Sequence, residues 1–563
     1  MPSLVVSQFA GCVPIVGPRL LESYQASYAE NCNIERGTLQ AMRKPLLVES
    51  LDNKALAIFK HDSDGWLSFG TNVNVVKSAV IDIDGTQPLG QLIITGGDYP
   101  VQYLAGGDTY RLGIPRPTSA PMLAIVDVER PDDEEAAGDD GEIERSTSYC
   151  YTFVQKLADD VIQYESAPSP PTDVVDVLHG YVVRVGGFLY PDLEKLEITH
   201  VRIYRTVSGT ETTEFRYVTE LEVTGVADDD IFLDDIYDMD VSSEVLATDT
   251  WDAIPDNAQG LIKTDYGIYA AFRGNELLIS EPYIPYAFPE SYYLTVEDSI
   301  VALGHMDGVI AVLTTGRPYL LEGQSPDTYQ MMHLPIEQAC VSPQSVAMSA
   351  GSLIYASPDG LMFFSVSEQS IMTGNIFSRE QWQALGPENL MATMLDGRYV
   401  GFFKGTNKGL SYDISRGDIV HIVLPDEWLV HGMYHHSEDD CIYLSVQTDF
   451  ATGGHGVWKF EAGDELLPYV WKSKEFFSPS LVNMSAVRVQ REESVESGVL
   501  NDTVIMEVSA NTIVKASIPL QNGQARRIPI TSSARVWSFT LTGTGTVYEA
   551  RLGTSIGGIE YGT

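Results

Sequence analysis

His431, His435, His436 and Cys441 come nearest to a metal-ligand set in this sequence, because imidazole nitrogen and thiolate sulfur are ligands that zinc takes. Their spacing argues against a site. In a strand His435 and His436 point to opposite faces, and no second ligand pair stands at a suitable distance. Histidines beside a surface turn are the expected reading. The run Asp228 to Asp240 (DDDIFLDDIYDMD) offers oxygens of the kind calcium prefers, but it lacks the EF-hand order and its central glycine. It is expected to be a solvated acidic linker. There is no P-loop, GxSxG or HExxH. Glycoside hydrolysis needs two carboxylates in defined geometry, and 78 acids single out no pair. No catalytic residue, cofactor or metal is therefore expected, and the chain reads as a scaffold rather than an enzyme.

Composition bears on partners. Lys and Arg number 35 against 78 Asp and Glu, a net charge of −43, so the chain is ill suited to grip a polyanion through clustered bases. An apolar content of 44% belongs to ordered proteins, and 29 tyrosines and 48 glycines with few helical repeats point to an all-β fold. No apolar run reaches the roughly 18 residues of a membrane span. No signal-peptide pattern is visible at the start of the sequence. Cys12, Cys32, Cys150, Cys340 and Cys441 form no CxxC pair and read as isolated small hydrophobes in a reducing compartment.

The elements that must position any site are hairpins. Between Leu261 and Gly323, alternating apolar runs break at Gly274-Asn275 and at Asp307-Gly308, residues that tolerate the positive φ of a two-residue turn. Pro282, Pro285, Phe288 and Pro289 end a sheet between them. The same grammar appears at Asp64-Gly65, Gly96-Gly97, Gly351, Asp359-Gly360, Asp396-Gly397 and Asp439. From Asp307 onward the leading turns recur about every 43–45 residues, the period of a β-propeller blade. The predicted fold is an all-β propeller of about six or seven blades with an inserted β-sandwich and a C-terminal β region.

Five segments follow. Residues 1–50 are an N-terminal arm with a short helix over Leu20 to Cys32, where Leu20, Leu21, Tyr24 and Tyr28 fall near one face and Asn31 and Gly37 mark the end. Residues 51–117 are the first propeller part. Residues 118–255 are an inserted sandwich of fibronectin or immunoglobulin type, with a solvated acidic loop from Asp127 to Glu144. Residues 256–475 are the main propeller part, containing one helix at SREQWQAL, where Ser378 caps and Gln381 closes a capping box. Residues 476–563 are the C-terminal β region, with a glycine-rich tail after Leu552 expected to fray. The arm carries an apolar set, Phe9, Val13, Leu20 and Leu21, with Tyr24 and Tyr28 beside it, and these six are the candidate partner-binding residues.

Several segments, in order along most of the chain, resemble the tail nozzle proteins of short-tailed bacteriophages, also described as tail tube or DNA-stabilisation proteins. They are Phe9, Gly11, Pro14, Leu20, Leu21, Ala29, Asn31, Gly37 and Leu39 in the arm, then LGIPRP (Leu112 to Pro117), SEPYIPYAFP (Ser280 to Pro289), TTGRPYLLEG (Thr314 to Gly323), YASPDGL (Tyr355 to Leu361) and WKSKEF (Trp471 to Phe476). The resemblance implies a virion protein with a propeller core, assembled in the host cytoplasm. It also implies a homo-oligomeric ring, a hexamer, below the portal and its adaptor proteins, meeting tail fibres or a needle or plug protein. Genomic double-stranded DNA would pass through it without tight binding, and the acidic composition leads us to expect a lumen with more acidic than basic side chains.

The alternative is a glycan-binding or sialidase-like propeller of a tail fibre or spike. SPDGLMF (Ser357 to Phe363) approaches the Asp-box turn of sialidase-like propellers, but it is one residue short and occurs once. Such an enzyme would need several arginines and a Tyr/Glu pair converging at the propeller axis. Arg273, Arg317, Arg379 and Arg398 are the candidates.

Overall fold

Tight turns set the architecture. The two central residues take φ of 47° and 78° at Asp307-Gly308, and 48° and 73° at Asp396-Gly397, the left-handed pair that a type I′ turn requires. Each turn hands an inner strand to its antiparallel neighbour, Ile300–Met306 to Val309–Thr314 and Leu390–Leu395 to Arg398–Phe403. The computed structural model describes residues 3–78, 91–127, 143–157, 162–178, 180–191, 196–207, 214–224, 230–349, 351–448, 454–491, 504–521, 523–529 and 532–560. Within them the hairpin unit repeats as six four-stranded blades, spanning 74–111, 259–295, 300–333, 347–371, 390–423 and 429–459, the last completed by the strand Leu46–Leu51. The hairpin Ala57–His61 with Gly65–Phe69 stands between the sixth and first blades. Its Ile58 and Trp66 pack with Tyr443 and Val457 on one side, and Phe59, Leu67 and Phe69 with Leu92 and Ile94 on the other. The chain is an all-β propeller.

Between the first and second blades lies the sandwich. Tyr149–Leu157, Ile162–Glu165, His200–Thr206 and Phe215–Glu222 form one sheet, and Met122–Asp127, Tyr181–Gly186 and Phe232–Asp234 form another. Tyr149, Tyr151, Phe153, Val183, Val185, Val201 and Ile203 make a common core. Here the expectation of a solvated acidic linker over Asp228 to Asp240 is corrected. Asp230 and Asp234 are buried, because each has partners that replace water. Asp230 accepts from Tyr190 Oη at 2.7 Å and Thr224 Oγ1 at 2.9 Å. Asp234 Oδ2 accepts from Tyr149 Oη at 2.6 Å and lies 3.0 Å from Arg205 Nε and 3.5 Å from Arg145 Nη2, all with almost no exposure. The Arg205 contact is an ion pair whose angle misses a hydrogen bond. Asp228, Asp229 and most of the Asp127 to Glu144 loop lie outside the described residues.

The helix expected over Leu20 to Cys32 is also corrected. That stretch holds the strands Ala26–Glu30 and Cys32–Asn33, with Asn31 between them at φ 51°. Three of the four helix-spaced side chains lie at the surface: Leu20 is 79% exposed, and Tyr24 and Tyr28 are exposed too. Of that set only Leu21 is buried, together with Ala26, Ala29 and Cys32, which do not share its helical face. Ala26–Glu30 runs antiparallel to Tyr469–Ser473 and meets Asp418–Val423 in parallel at Glu30 and His421. The fifth blade, the arm and the C-terminal strands thereby share one ten-stranded sheet. Tertiary pairing has overridden local propensity. Gly11 is held where only glycine fits: its N–H donates to Asp418 Oδ2 at 2.7 Å, and a Cβ there would meet the Ile419 carbonyl oxygen at 2.5 Å.

Smaller expectations divide. Ser378 caps Arg379–Gln383, with Gln381 reaching back in a capping box, and Trp382 on that helix is fully buried with its Nε1 donating to the Ser357 carbonyl. The tail does not simply fray after Leu552: Ile556–Glu560 is a short helix whose Ile559 is buried. Cys12, Cys32, Cys150 and Cys340 are buried, and burial pushes the Cys12 and Cys340 thiols up to about 12.

Candidate functional site

The inner strands of the six blades surround a cavity of about 1040 Å³ on the propeller axis. They are Asn74–Lys77, Gln259–Lys263, Ile300–Met306, Ala347–Ser349, Leu390–Leu395 and Leu429–His436. Small or apolar side chains such as Val75, Ala302 and Met391 form most of the wall. The charged and titratable members are Lys77, Lys263, His305, Tyr434 and His435, and among the described residues no carboxylate lines it. The acids stand outside, on exposed turns: Asp62 and Glu438 within 3.8 Å of Lys77, Asp265 3.6 Å from His305, and Asp440 3.1 Å from His435. The acidic lumen expected from composition is therefore not this channel.

One mouth is strapped. Asn72, in the turn before the first blade, accepts through Oδ1 from Lys404 Nζ at 2.9 Å on the fifth blade and from Gln344 Nε2 at 3.4 Å beside the fourth. Burial first, and then the nearby Lys54, hold Lys404 below the usual lysine value. Burial, and then Lys54, His455 and Lys404, do the same to His431, although its Gln447 contact opposes them. The Asn72 contacts thus join the start of the first blade to the fourth and fifth blades across this mouth.

The four arginines that a sialidase-like site would bring together do not meet. Arg273 pairs with Glu276 at 2.6 Å, Arg317 with Glu337 at 2.5 Å, Arg379 with Asp359 at 3.2 Å, and Arg398 with Glu461 at 3.2 Å, and none lines the axis. The Ser357 to Phe363 segment is a hairpin turn in which Ser357 Oγ donates to the Gly360 carbonyl. The histidines disperse as well. His435 faces the channel, His436 is buried 3.0 Å from Asp439, His431 contacts Gln447, and Cys441 Sγ donates to the Asp439 carbonyl.

Of the six arm residues, three are spent inside the chain. Phe9, Val13 and Leu21 are buried, and Phe9 meets Trp471 edge-on at 5.0 Å. These three find their apolar partners without a second molecule, which corrects their assignment as partner-binding. Leu20, Tyr24 and Tyr28 remain on the surface, Tyr28 stacked on His421 and donating its hydroxyl to Glu30. Ile15, Phe477 and Leu481 are further exposed apolar side chains of the arm and of the C-terminal region. The arm is tied to that region where Glu475 N–H donates to the Pro18 carbonyl. Sequence reasoning did not find Phe477 or Leu481, whose strand Phe476–Val482 has no regular alternation.

No protein-family model matches this chain, and no curated protein sequence does. Among solved structures it is similar to the calcium-binding protein regucalcin of Agrobacterium tumefaciens, at 10% identity and a TM-score of 0.26 over 46% of this chain and 85% of that one. It is similar to the Pan2 WD40 domain of Neurospora crassa at 8% identity and 0.26, over 51% and 87%. Streptogramin B lyase gives 8% and 0.26, over 70% and 98%. Overlaps this low carry no functional argument, and the architecture rests on the chain's own sheets.

Proposed function

We propose that this protein is a structural component of a short-tailed phage virion, a nozzle whose copies form a ring of six below the portal and adaptor and conduct DNA during ejection. The observation that carries this reading is the ten-stranded sheet through which the N-terminal arm joins the fifth blade to the C-terminal region. It makes a load-sharing body out of what would otherwise be separate modules, while leaving Leu20, Tyr24 and Tyr28 facing outward for a neighbour. The ordered resemblance of the arm, LGIPRP, SEPYIPYAFP and WKSKEF to nozzle proteins supports it.

Two measurements test the proposal. Negative-stain images of the purified chain, with its adaptor, should show rings of one uniform mass. Leu20→Asp combined with Tyr24→Asp should reduce ring yield with little loss of stability, because both side chains are already exposed. A protein that stays monomeric under those conditions sinks the ring. A conduit should also let DNA slide, so filter binding at about 50 mM salt is expected to show no retention of duplex. Micromolar affinity that falls steeply with salt would mean that the walls hold DNA by attraction.

A further inference from the structure

A second cavity, of about 250 Å³, lies where the sandwich meets the chain returning to the propeller. It has aromatic walls. Tyr286, from the proline-rich crossing of the second blade, sits 4.3 Å from Tyr164 of the sandwich and 5.9 Å from Trp251, with the Trp251 ring nearly perpendicular at 78°. Tyr164 is buried, while Trp251 and Tyr286 keep part of their surface open. Rings held by three separate segments present both faces and edges to whatever enters.

The polar side of the cavity is already fixed in place. Arg202 Nη1 donates to Glu165 Oε2 at 2.8 Å, and Arg202 Nε to Glu220 Oε2 at 2.8 Å. Glu165 Oε1 accepts from Tyr204 Oη and from Thr152 Oγ1, both at 2.6 Å. The guanidinium is matched by carboxylates, so a free anion gains little here. Of the two lining carboxylates, Glu165 is already neutralised by Arg202, and Glu244 stands exposed to solvent, where a cation gains little. One group is left over. Thr248 is 3% exposed, lines the cavity, and its Oγ1 has no hydrogen-bond partner among the described residues. Buried hydroxyls are paired as a rule, and an orphan beside a cavity points to a partner that arrives with a ligand.

We infer that this junction cleft binds a neutral pyranose sugar, packed on Trp251 and Tyr286 and hydrogen-bonded to Thr248 and the Arg202–Glu165 pair. A pyranose ring has apolar C–H faces for aromatic walls and a rim of hydroxyls that both donate and accept. That combination matches a cleft with aromatic walls and a preorganised polar floor. The inference is independent of the ring assembly proposed above.

The test titrates the full-length protein with glucose, galactose and N-acetylglucosamine in turn, by saturation-transfer NMR and calorimetry, with tetramethylammonium chloride as the cationic probe. At least one sugar should bind saturably at roughly millimolar affinity. Trp251→Ala should weaken that binding at least about tenfold, and Thr248→Val, which removes only the hydroxyl, should weaken it measurably. Thr248→Val keeps the test decisive if the tryptophan variant does not fold. Absence of binding by all three sugars overturns the inference. So does sugar binding unchanged in Thr248→Val and in any folded Trp251→Ala, or binding of tetramethylammonium in place of sugar.

Discussion

Replacing Asp234 with alanine is expected to destabilise the inserted sandwich by about 3–5 kcal/mol, read as a lower denaturant midpoint for its unfolding transition. The reason is what remains. Arg145 and Arg205, with side chains 3% and 0% exposed, would keep their charge and lose the carboxylate between them. Tyr149 Oη would lose its acceptor at the same time. Main-chain acceptors would survive, the Ile236 carbonyl for both arginines and the carbonyl of residue 234 for Arg145 Nη2, and Arg205 would keep Asp238, but Arg145 would lose the carboxylate that balances its charge. Asp234→Asn should recover part of the loss, because the amide oxygen still accepts from Tyr149 while the charge is gone. A cost below about 1 kcal/mol for the alanine variant would show the guanidinium groups reaching water, and the buried pair would lose its importance.

Trp471→Ala is expected to cost a similar amount, about 3–5 kcal/mol. Trp471 is fully buried, donates Nε1 to the Ala10 carbonyl at 3.0 Å, and packs against Phe9 and Phe539. Its ring sits where the arm packs on the C-terminal sheet. Deleting residues 1–33 removes Ala26–Glu30 from between two strands, so limited proteolysis should then cut the C-terminal region first. If the truncated chain resists protease as well as the intact one, the arm is an appendage and the shared sheet is not structural. Variants of Leu20 and Tyr24, which face outward, should leave the protease pattern unchanged.

The blades were legible because their information is local. Asp307-Gly308 and Asp396-Gly397 need residues that accept left-handed φ, and few pairs do. The capping box at Ser378 and Gln381 is equally local. The arm was not legible, because Ala26–Glu30 becomes a strand only by pairing with residues about Tyr469 to Ser473, far along the chain. Its Leu and Tyr spacing imitates a helix face. Asp230 and Asp234 look like their solvated neighbours in the sequence, and only the positions of Tyr190, Arg145 and Arg205 distinguish them. The axial cavity was hidden for a similar reason: its wall takes short pieces from six blades, and no contiguous motif records that.

The closure of the sixth blade by Leu46–Leu51 has a consequence for how the protein is made. Glu49 pairs with Val457, so the strand synthesised early has its partner only when the last blade has left the ribosome. At about 5–20 residues per second, it waits on the order of tens of seconds. During that interval Leu46, Leu47 and Val48 form an unpaired apolar edge, the kind of segment on which nascent chains associate. The yield of correctly closed propellers is then expected to respond to synthesis speed and chaperone supply.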